Sequence, residues 1–197
     1  MQAFDKIVLA SNNRHKLTEL RTLLSPRLTV VPQSEFNVTE APETGLTFVE
    51  NSIIKARNAS LQTGLAAVAD DSGLQVDFLD GSPGIHSARY AGDDATDQDN
   101  KSKLLSEMAH AADSQRKASF HCAIVMLRWP HDPTPIICQA SWAGSILSHP
   151  KGSNGFGYDP LFYVAEYGCS AAELAPEVKN RISHRAQALA KLLDALS

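Results

Sequence analysis

The chain has 197 residues, and its 18 basic and 22 acidic side chains give a formal net charge of −4. This negative charge argues against a broad basic surface for nucleic acid. The longest unbroken apolar run, residues 122–127, is far shorter than the ~20 residues of a membrane-spanning helix. Three widely spaced cysteines fit neither a disulfide framework nor a zinc site. We therefore expect one globular domain, residues 1–197, in the reducing cytoplasm.

The first third of the chain alternates between strand and helix patterns. Residues 6–10 form a short apolar run that predicts a buried strand ending in a polar loop. The spacing of apolar residues then changes to that of a helix, with one predicted face formed by Leu17, Leu20, Leu23 and Leu24. Residues 28–31 predict a second strand, which Pro32 ends.

A second helix is predicted to begin after Thr47. Its hydroxyl is expected to accept from the Glu50 N–H while the Glu50 carboxylate reaches back to the Thr47 N–H. Gly64 is expected to end this helix. Residues 66–69 then predict a strand that residues 70–73 close, and the chain is predicted to continue as a strand over residues 74–78.

The remaining elements complete a mixed pattern. We predict a helix over residues 96–111, two long strands over 117–129 and 135–147, and a short strand over 161–164. The chain ends in a predicted helix with Ser183 as its N-cap. Strands and helices in this order indicate an α/β or α+β fold built on a mixed sheet.

Two polar segments near strand ends are suited to phosphates and metals. Residues 11–16 read Ser-Asn-Asn-Arg-His-Lys between a strand and a helix, where free N–H groups and a lysine favour an anion. A plain helix-capping turn is the alternative. Asp71, or its neighbour Asp70, is placed to hold Mg²⁺ together with Glu43, although the Asp-Asp-Ser-Gly sequence also suits an ordinary turn.

Two further segments suit a base and its phosphates. Residues 152–159 contain three glycines with Phe156, Tyr158 and Asp159, so that a base could stack there and donate to a carboxylate; a surface loop is the alternative. Lys179, His184 and Arg185 are expected at the start of the last helix, although a solvated basic face is commoner. Together these segments indicate a nucleoside triphosphate site.

Six segments in the same order identify the chain as similar to the inosine/xanthosine triphosphate pyrophosphatase family. They are residues 9–16, 43–51, 69–73, 83–92, 155–160 and 183–185. The resemblance implies an α/β fold, with an elongated mixed β-sheet and flanking helices forming two lobes around a central nucleotide-binding cleft. It also implies a homodimer, Mg²⁺ as cofactor, and hydrolysis of deaminated purine nucleoside triphosphates to monophosphate and pyrophosphate.

The resemblance also assigns roles to individual residues. Glu43 and Asp71 are the implied metal ligands, and Asp71, Lys16 and Lys55 the implied catalytic residues. The implied substrate contacts are Ser11, Asn12, Asn13, Arg14, His15, Lys16, Ser72, Phe156, Gly157, Tyr158, Asp159, Lys179, His184 and Arg185. Two other functions stay open: a pyrophosphatase for modified pyrimidines or methylated bases, and a nucleotide-binding regulator without activity.

Overall fold

The strands of the protein form one mixed sheet. The computed structural model describes residues 6–24 and 29–197, and of Arg14, His15 and Leu23 it describes the backbone alone. The described strands are β1 (Lys6–Leu9), β2 (Thr29–Pro32), β3 (Ala66–Val76), β4 (Lys117–Leu127), β5 (Ile136–Ile146), β6 (Phe162–Val164) and β7 (Cys169–Ser170). They lie in the order β2-β1-β3-β4-β5-β6-β7. β1 pairs in parallel with β2 and β3, whereas β6 is antiparallel to β5 and β7, which confirms the mixed α/β class.

Five α-helices of the described chain accompany the sheet. They are α1 (Arg14–Leu24), α2 (Phe48–Thr63), α3 (Asp97–Glu107), α4 (Pro176–Ile182) and α5 (His184–Ala195). Thr47 caps α2 as predicted, by accepting from the Glu50 N–H at 3.2 Å. The Glu50 carboxylate instead accepts from the Leu46 N–H and the Thr47 hydroxyl, at 2.8 and 2.9 Å. Gly64 ends α2 with a left-handed φ of 70°.

Two predictions of element boundaries were wrong. Residues 70–73 do not close a strand, because β3 runs without a break from Ala66 to Val76. Pairing within the sheet satisfies the backbone there, which overrides the turn preference of the local sequence. The last helix, α5, begins directly after Ser183 as predicted, and Ser183 has an extended backbone, but residues 176–182 form a separate helix, α4. Lys179 therefore lies on α4 and not at the start of the last helix. Leu28, the first residue of the predicted second strand, lies outside the described residues.

The chain divides into two compact units. Unit 1 comprises Met1–Asp71, Cys122–Ala140 and Arg185–Ser197, and unit 2 comprises Ser72–His121 and Ser141–His184. In unit 1, alternate residues of the strands contribute to two apolar clusters: Ile7 and Val68 belong to one cluster with Leu20 and Leu189, and Val8 belongs to the other. Unit 2 has its own cluster around Leu74, Phe120, Trp142 and Phe162. A single domain of two lobes stays a prediction.

Candidate active site

Two adjacent aspartates of unit 1 lie on opposite faces of β3. Successive residues of a strand point to alternate faces. Val68 belongs to the cluster that contains residues of α1 and α5, and Asp70, two residues on, contacts charged groups of the same two helices. Ala69 belongs to the cluster with α2, and Asp71 contacts side chains of that helix. The alternation of β3 thus gives two neighbouring carboxylates separate environments.

Asp70 is a buried counterion for two cations. Its Oδ2 lies 3.1 Å from Lys16 Nζ and 3.4 Å from Arg185 Nε. Arg185 also forms an ion pair with Glu19 of α1. Burial alone raises the pKa of Asp70, but the positive charges of Lys16 and Arg185 outweigh it, so that its pKa lies well below the usual range. Asp70 is therefore ionised, and it fixes the two cations beside β3.

The loop before α1 is organised by its own side chains. Asn13 accepts from the Lys16 N–H at 3.1 Å, which is the geometry of a helix N-cap. The Ser11 hydroxyl accepts from the Asn13 N–H at 3.2 Å, and Asn12 donates to Glu40 at 2.6 Å. Helix capping, the structural alternative for this segment, is thus present. The side chains of Arg14 and His15, two implied substrate contacts, are not among those described.

Asp71 belongs to a second charged cluster. Lys55 Nζ lies 2.9 Å from Asp71 Oδ1 and 2.8 Å from Glu43 Oε1. Burial raises the pKa of Asp71, and Lys55 only partly opposes this effect. Burial lowers the pKa of Lys55, but the charges of Asp71, Asp70 and Glu43 raise it overall. The structure thus brings together the predicted metal ligands and one predicted catalytic lysine.

These two carboxylates fit a divalent cation that uses few protein ligands. Mg²⁺ is commonly held by one or two carboxylates together with substrate phosphates and water. Glu43 and Asp71 already share one cation, the Lys55 ammonium, between their oxygens. Among residues 6–24 and 29–197 no group of three or more His, Cys, Asp or Glu side chains is gathered for a metal, so a complete all-protein ligand set is not found there.

Unit 2 contains a separate cluster around Asp159. Its Oδ2 accepts from Lys179 Nζ at 2.6 Å and from the Phe156 N–H at 2.9 Å. The Lys179 ammonium also lies over the Phe156 ring, 5.1 Å from its centroid. Gly155 has a φ of +76°, and a Cβ there would lie 2.0 Å from the Asp159 carboxylate. The loop can therefore approach Asp159 only because residue 155 is glycine.

Other predicted substrate contacts of unit 2 have partners within the protein or are at least half-buried. The Tyr158 hydroxyl donates to the Ser87 carbonyl at 2.9 Å, and the Gly157 N–H donates to Asp97 at 2.7 Å. His184 is buried, with its ring stacked on Phe120 at a centroid distance of 4.8 Å. Ser72 is half-buried within β3.

Sequence reasoning did not predict the contacts of four residues that shape these clusters. Asp70 and Glu19 fix the cations of the first cluster, Asn51 contacts Asp71, and Asp97 holds the glycine-rich loop. Asp97 and its partner Gly157 are 60 residues apart in the sequence. The Asp-Asp pair itself was a usable signal for Asp70, because one member of such a pair must face away from the other.

Sequence comparisons give the family. The profile of the Ham1 family matches residues 7–195. The chain belongs to the Ham1 family. The dITP/XTP pyrophosphatase of Vibrio cholerae is 57% identical over 192 residues, covering 97% of this chain and 96% of that protein. The dITP/XTP pyrophosphatase of Escherichia coli O157:H7 is also 57% identical, covering 97% and 98%. These relatives confirm the family resemblance seen in the six sequence segments.

A solved Ham1 structure confirms the fold. The HAM1 protein of Coxiella burnetii superposes with a TM-score of 0.91 at 52% identity, covering 97% of this chain and 98% of that one. None of the helices in the described chain is both long and apolar enough to cross a bilayer.

Proposed function

We propose that this Ham1-family chain hydrolyses the triphosphates of deaminated purines, namely dITP, ITP and XTP, to the nucleoside monophosphate and pyrophosphate. The observation that carries the proposal is the Glu43–Lys55–Asp71 cluster, in which two carboxylates face one cation. High identity to proteins named dITP/XTP pyrophosphatase supports the choice of substrate. The role of such an enzyme would be to remove these nucleotides before they enter DNA or RNA.

The carboxylates of Glu43 and Asp71 would hold Mg²⁺. When bound, this cation would neutralise phosphate charge and make a bound water more acidic. The remaining chemistry belongs to the chain. A water attacks the α-phosphorus, its proton passes to the Asp71 carboxylate, and the bond to the bridging oxygen breaks so that pyrophosphate leaves with the electron pair. Burial raises the pKa of Asp71 in the metal-free chain, and a carboxylate at this place is a suitable proton acceptor for water.

Cationic side chains of unit 1 would offset the charge that develops on the leaving pyrophosphate. Lys55 and Lys16 are both held by carboxylates, so their ammonium groups are positioned before a substrate arrives. Such preorganised charge is usually a large part of catalysis, since little reorganisation is needed during the reaction. The first turn of α1, after Ser11, Asn12 and Asn13, would offer N–H groups to the phosphates.

The cluster around Asp159 would provide recognition of the base. Deaminated purines carry a carbonyl oxygen at C6, where adenine carries an amino group. The Lys179 ammonium is a donor for such an oxygen, and the Phe156 ring is a surface on which a base can stack. Asp159 fixes both groups through its two hydrogen bonds. Adenine presents a donor in place of an acceptor at C6, so it would lose the hydrogen bond from the buried Lys179 ammonium, which is a basis for discrimination.

The resemblance also supports a cytoplasmic homodimer, which we include in the proposal. Light scattering during size-exclusion chromatography checks the oligomeric state. A mass of twice the 21.3 kDa of the chain is expected.

Product analysis tests the proposed reaction. The purified protein is incubated with Mg²⁺ and, separately, with dITP, ITP, XTP, GTP, ATP or dUTP, and products are separated by anion exchange. We expect monophosphate and pyrophosphate from dITP, ITP and XTP at much higher rates than from the other three. Inorganic phosphate and a diphosphate would show attack at the γ-phosphorus and would contradict the mechanism. Preference for dUTP would contradict the base assignment, and binding without turnover would favour a regulatory role.

A further inference from the structure

Asn51 of α2 joins two parts of the candidate active site. Its side chain is 0% exposed. The amide oxygen Oδ1 accepts from the Gly45 N–H at 2.8 Å, and the amide nitrogen Nδ2 lies 3.3 Å from Asp71 Oδ2. One side chain thus contacts both the loop after Glu43 and the carboxylate of β3.

The contact to Gly45 fixes which end of the amide faces Asp71. A backbone N–H only donates, so the group that meets it must be the amide oxygen. The NH₂ group then necessarily points toward Asp71 Oδ2, where it donates to the carboxylate. Because Lys55 contacts Oδ1, the two oxygens of Asp71 have different donors. Two donors on two oxygens restrict rotation of the carboxylate about its final bond.

The loop is held very close to the first turn of α2. A Cβ on Gly45 would lie 2.6 Å from the Glu50 Cβ and 2.7 Å from the Asn51 Oδ1, so no other residue fits without displacing the loop. The Glu50 carboxylate also accepts from the Leu46 N–H at 2.8 Å. Glu43, two residues before Gly45, reaches Lys55 from this loop. The first turn of α2 therefore holds the loop that carries Glu43, and Asn51 of the same turn contacts Asp71.

We propose that Asn51 is a positioning residue of the hydrolytic site, which orients the Asp71 carboxylate and at the same time holds the loop that presents Glu43. The proposal rests on the proposed function. Replacing a residue that hydrogen-bonds to and orients a functional carboxylate commonly lowers activity or metal affinity by about 10–100-fold. Asn51 does not need to touch the substrate to have such an effect.

Two substitutions separate orientation of Asp71 from simple support of the loop. Asn51→Asp retains an oxygen that accepts from the Gly45 N–H but replaces the donor to Asp71 with a second acceptor. Asn51→Ala removes both contacts. We expect kcat for dITP to fall by about 10–100-fold in both variants, with KM changing by less than about threefold. A residue that only supports the loop would give near-normal kcat in Asn51→Asp, and that result would overturn the proposal.

Asn100 provides a matched control in unit 2. It is also a buried asparagine of a helix, and it accepts from the Ala91 N–H at 2.8 Å and donates to the Ala88 carbonyl at 3.0 Å. Both of its partners are backbone groups. Asn100→Asp should lower thermal stability while leaving kcat within about twofold of the unsubstituted protein, because the partners of Asn100 are backbone groups and not a catalytic carboxylate.

An NMR measurement tests the contact without relying on turnover. The side-chain amide protons of Asn51 should shift when Asp71 is replaced by asparagine, because the charged acceptor is lost. The resonances of the Asn100 side-chain amide should not shift in the same variant. An unchanged Asn51 resonance would overturn the inference. A protein that binds but turns over none of the deaminated purine triphosphates would overturn the proposed function instead, and the Asn51 resonance would still decide the contact.

Discussion

Replacing Asp70 by asparagine should destabilise the protein, whereas the same change at the adjacent Asp71 should not. Asp70 is a buried anion between Lys16 and Arg185, at 3.1 and 3.4 Å. Removing one member of a buried ion pair typically costs about 3–5 kcal/mol, because it leaves a buried charge without compensation. The Lys16 side chain is 16% exposed and Arg185 retains Glu19, so both cations keep some stabilisation. We therefore expect the lower end of that range, about 3 kcal/mol.

Asp71 provides the opposite case one residue away. Burial raises its pKa, so the ionised carboxyl is less favourable in the folded protein than in the unfolded chain. In Asp71→Asn the substituted side chain carries no charge to bury, and Lys55 keeps Glu43 as a partner. This variant should therefore change the free energy of unfolding by less than about 1 kcal/mol without added metal. Asp70→Asn should lower Tm by roughly 6–12 °C, since 1 kcal/mol is worth roughly 2–4 °C at this chain length.

The two aspartates should also differ in their dependence on pH. The folded-state pKa of Asp70 lies below its unfolded value. Its stabilising contribution is therefore fully present above about pH 4, the unfolded pKa, and is lost as pH falls toward the folded value. The pKa of Asp71 is raised in the folded protein, so its ionised carboxylate lowers the free energy of unfolding. This loss of stability disappears as the pH falls through the folded pKa and the carboxyl group is protonated. In Asp70→Asn, the free energy of unfolding should consequently fall less steeply in acid than it does in the unsubstituted protein.

Urea unfolding followed by circular dichroism, in EDTA and over a range from acid to neutral pH, measures both effects. Glu35→Gln is the control, because Glu35 is 61% exposed and lies 3.6 Å from Arg21. A surface pair of this kind contributes about 0–1 kcal/mol. If Asp70→Asn were as stable as the unsubstituted protein near neutral pH, or lost stability in acid just as steeply, Asp70 would not be the buried counterion inferred here.

The other predictions concern activity and binding. Asp71→Asn should abolish turnover of dITP while calorimetry still detects nucleotide binding, and near-normal turnover would remove Asp71 from the chemistry. Lys55→Met should lose activity. Added Mg²⁺ should raise its Tm by more than it raises the Tm of the unsubstituted protein, because the ammonium no longer competes for Glu43 and Asp71. An equal rise in the two proteins would argue against that competition. Gly155→Ala should raise KM for dITP, because its Cβ would lie 2.0 Å from the Asp159 carboxylate; an unchanged KM would show that this loop does not bind the substrate.

The sequence by itself determined most of the elements and the family. Apolar periodicity located β1, α1, α2 and the long strands β4 and β5, because those patterns follow directly from strand and helix geometry. The capping residue Thr47 and the terminating Gly64 gave the ends of α2, since both act through contacts within a few residues. Six short segments in order were enough to indicate the Ham1-type family.

Only the tertiary structure decided what the charged residues do. Asp70 and Asp71 are adjacent in a segment with turn chemistry, yet pairing with neighbouring strands keeps β3 continuous and sends the two carboxylates to opposite faces. Their partners lie on three different helices, so no local pattern could show that one aspartate is a structural counterion and the other shares a cation with Glu43. The pKa of each aspartate follows from burial and from these distant charges, and both are properties of the folded chain.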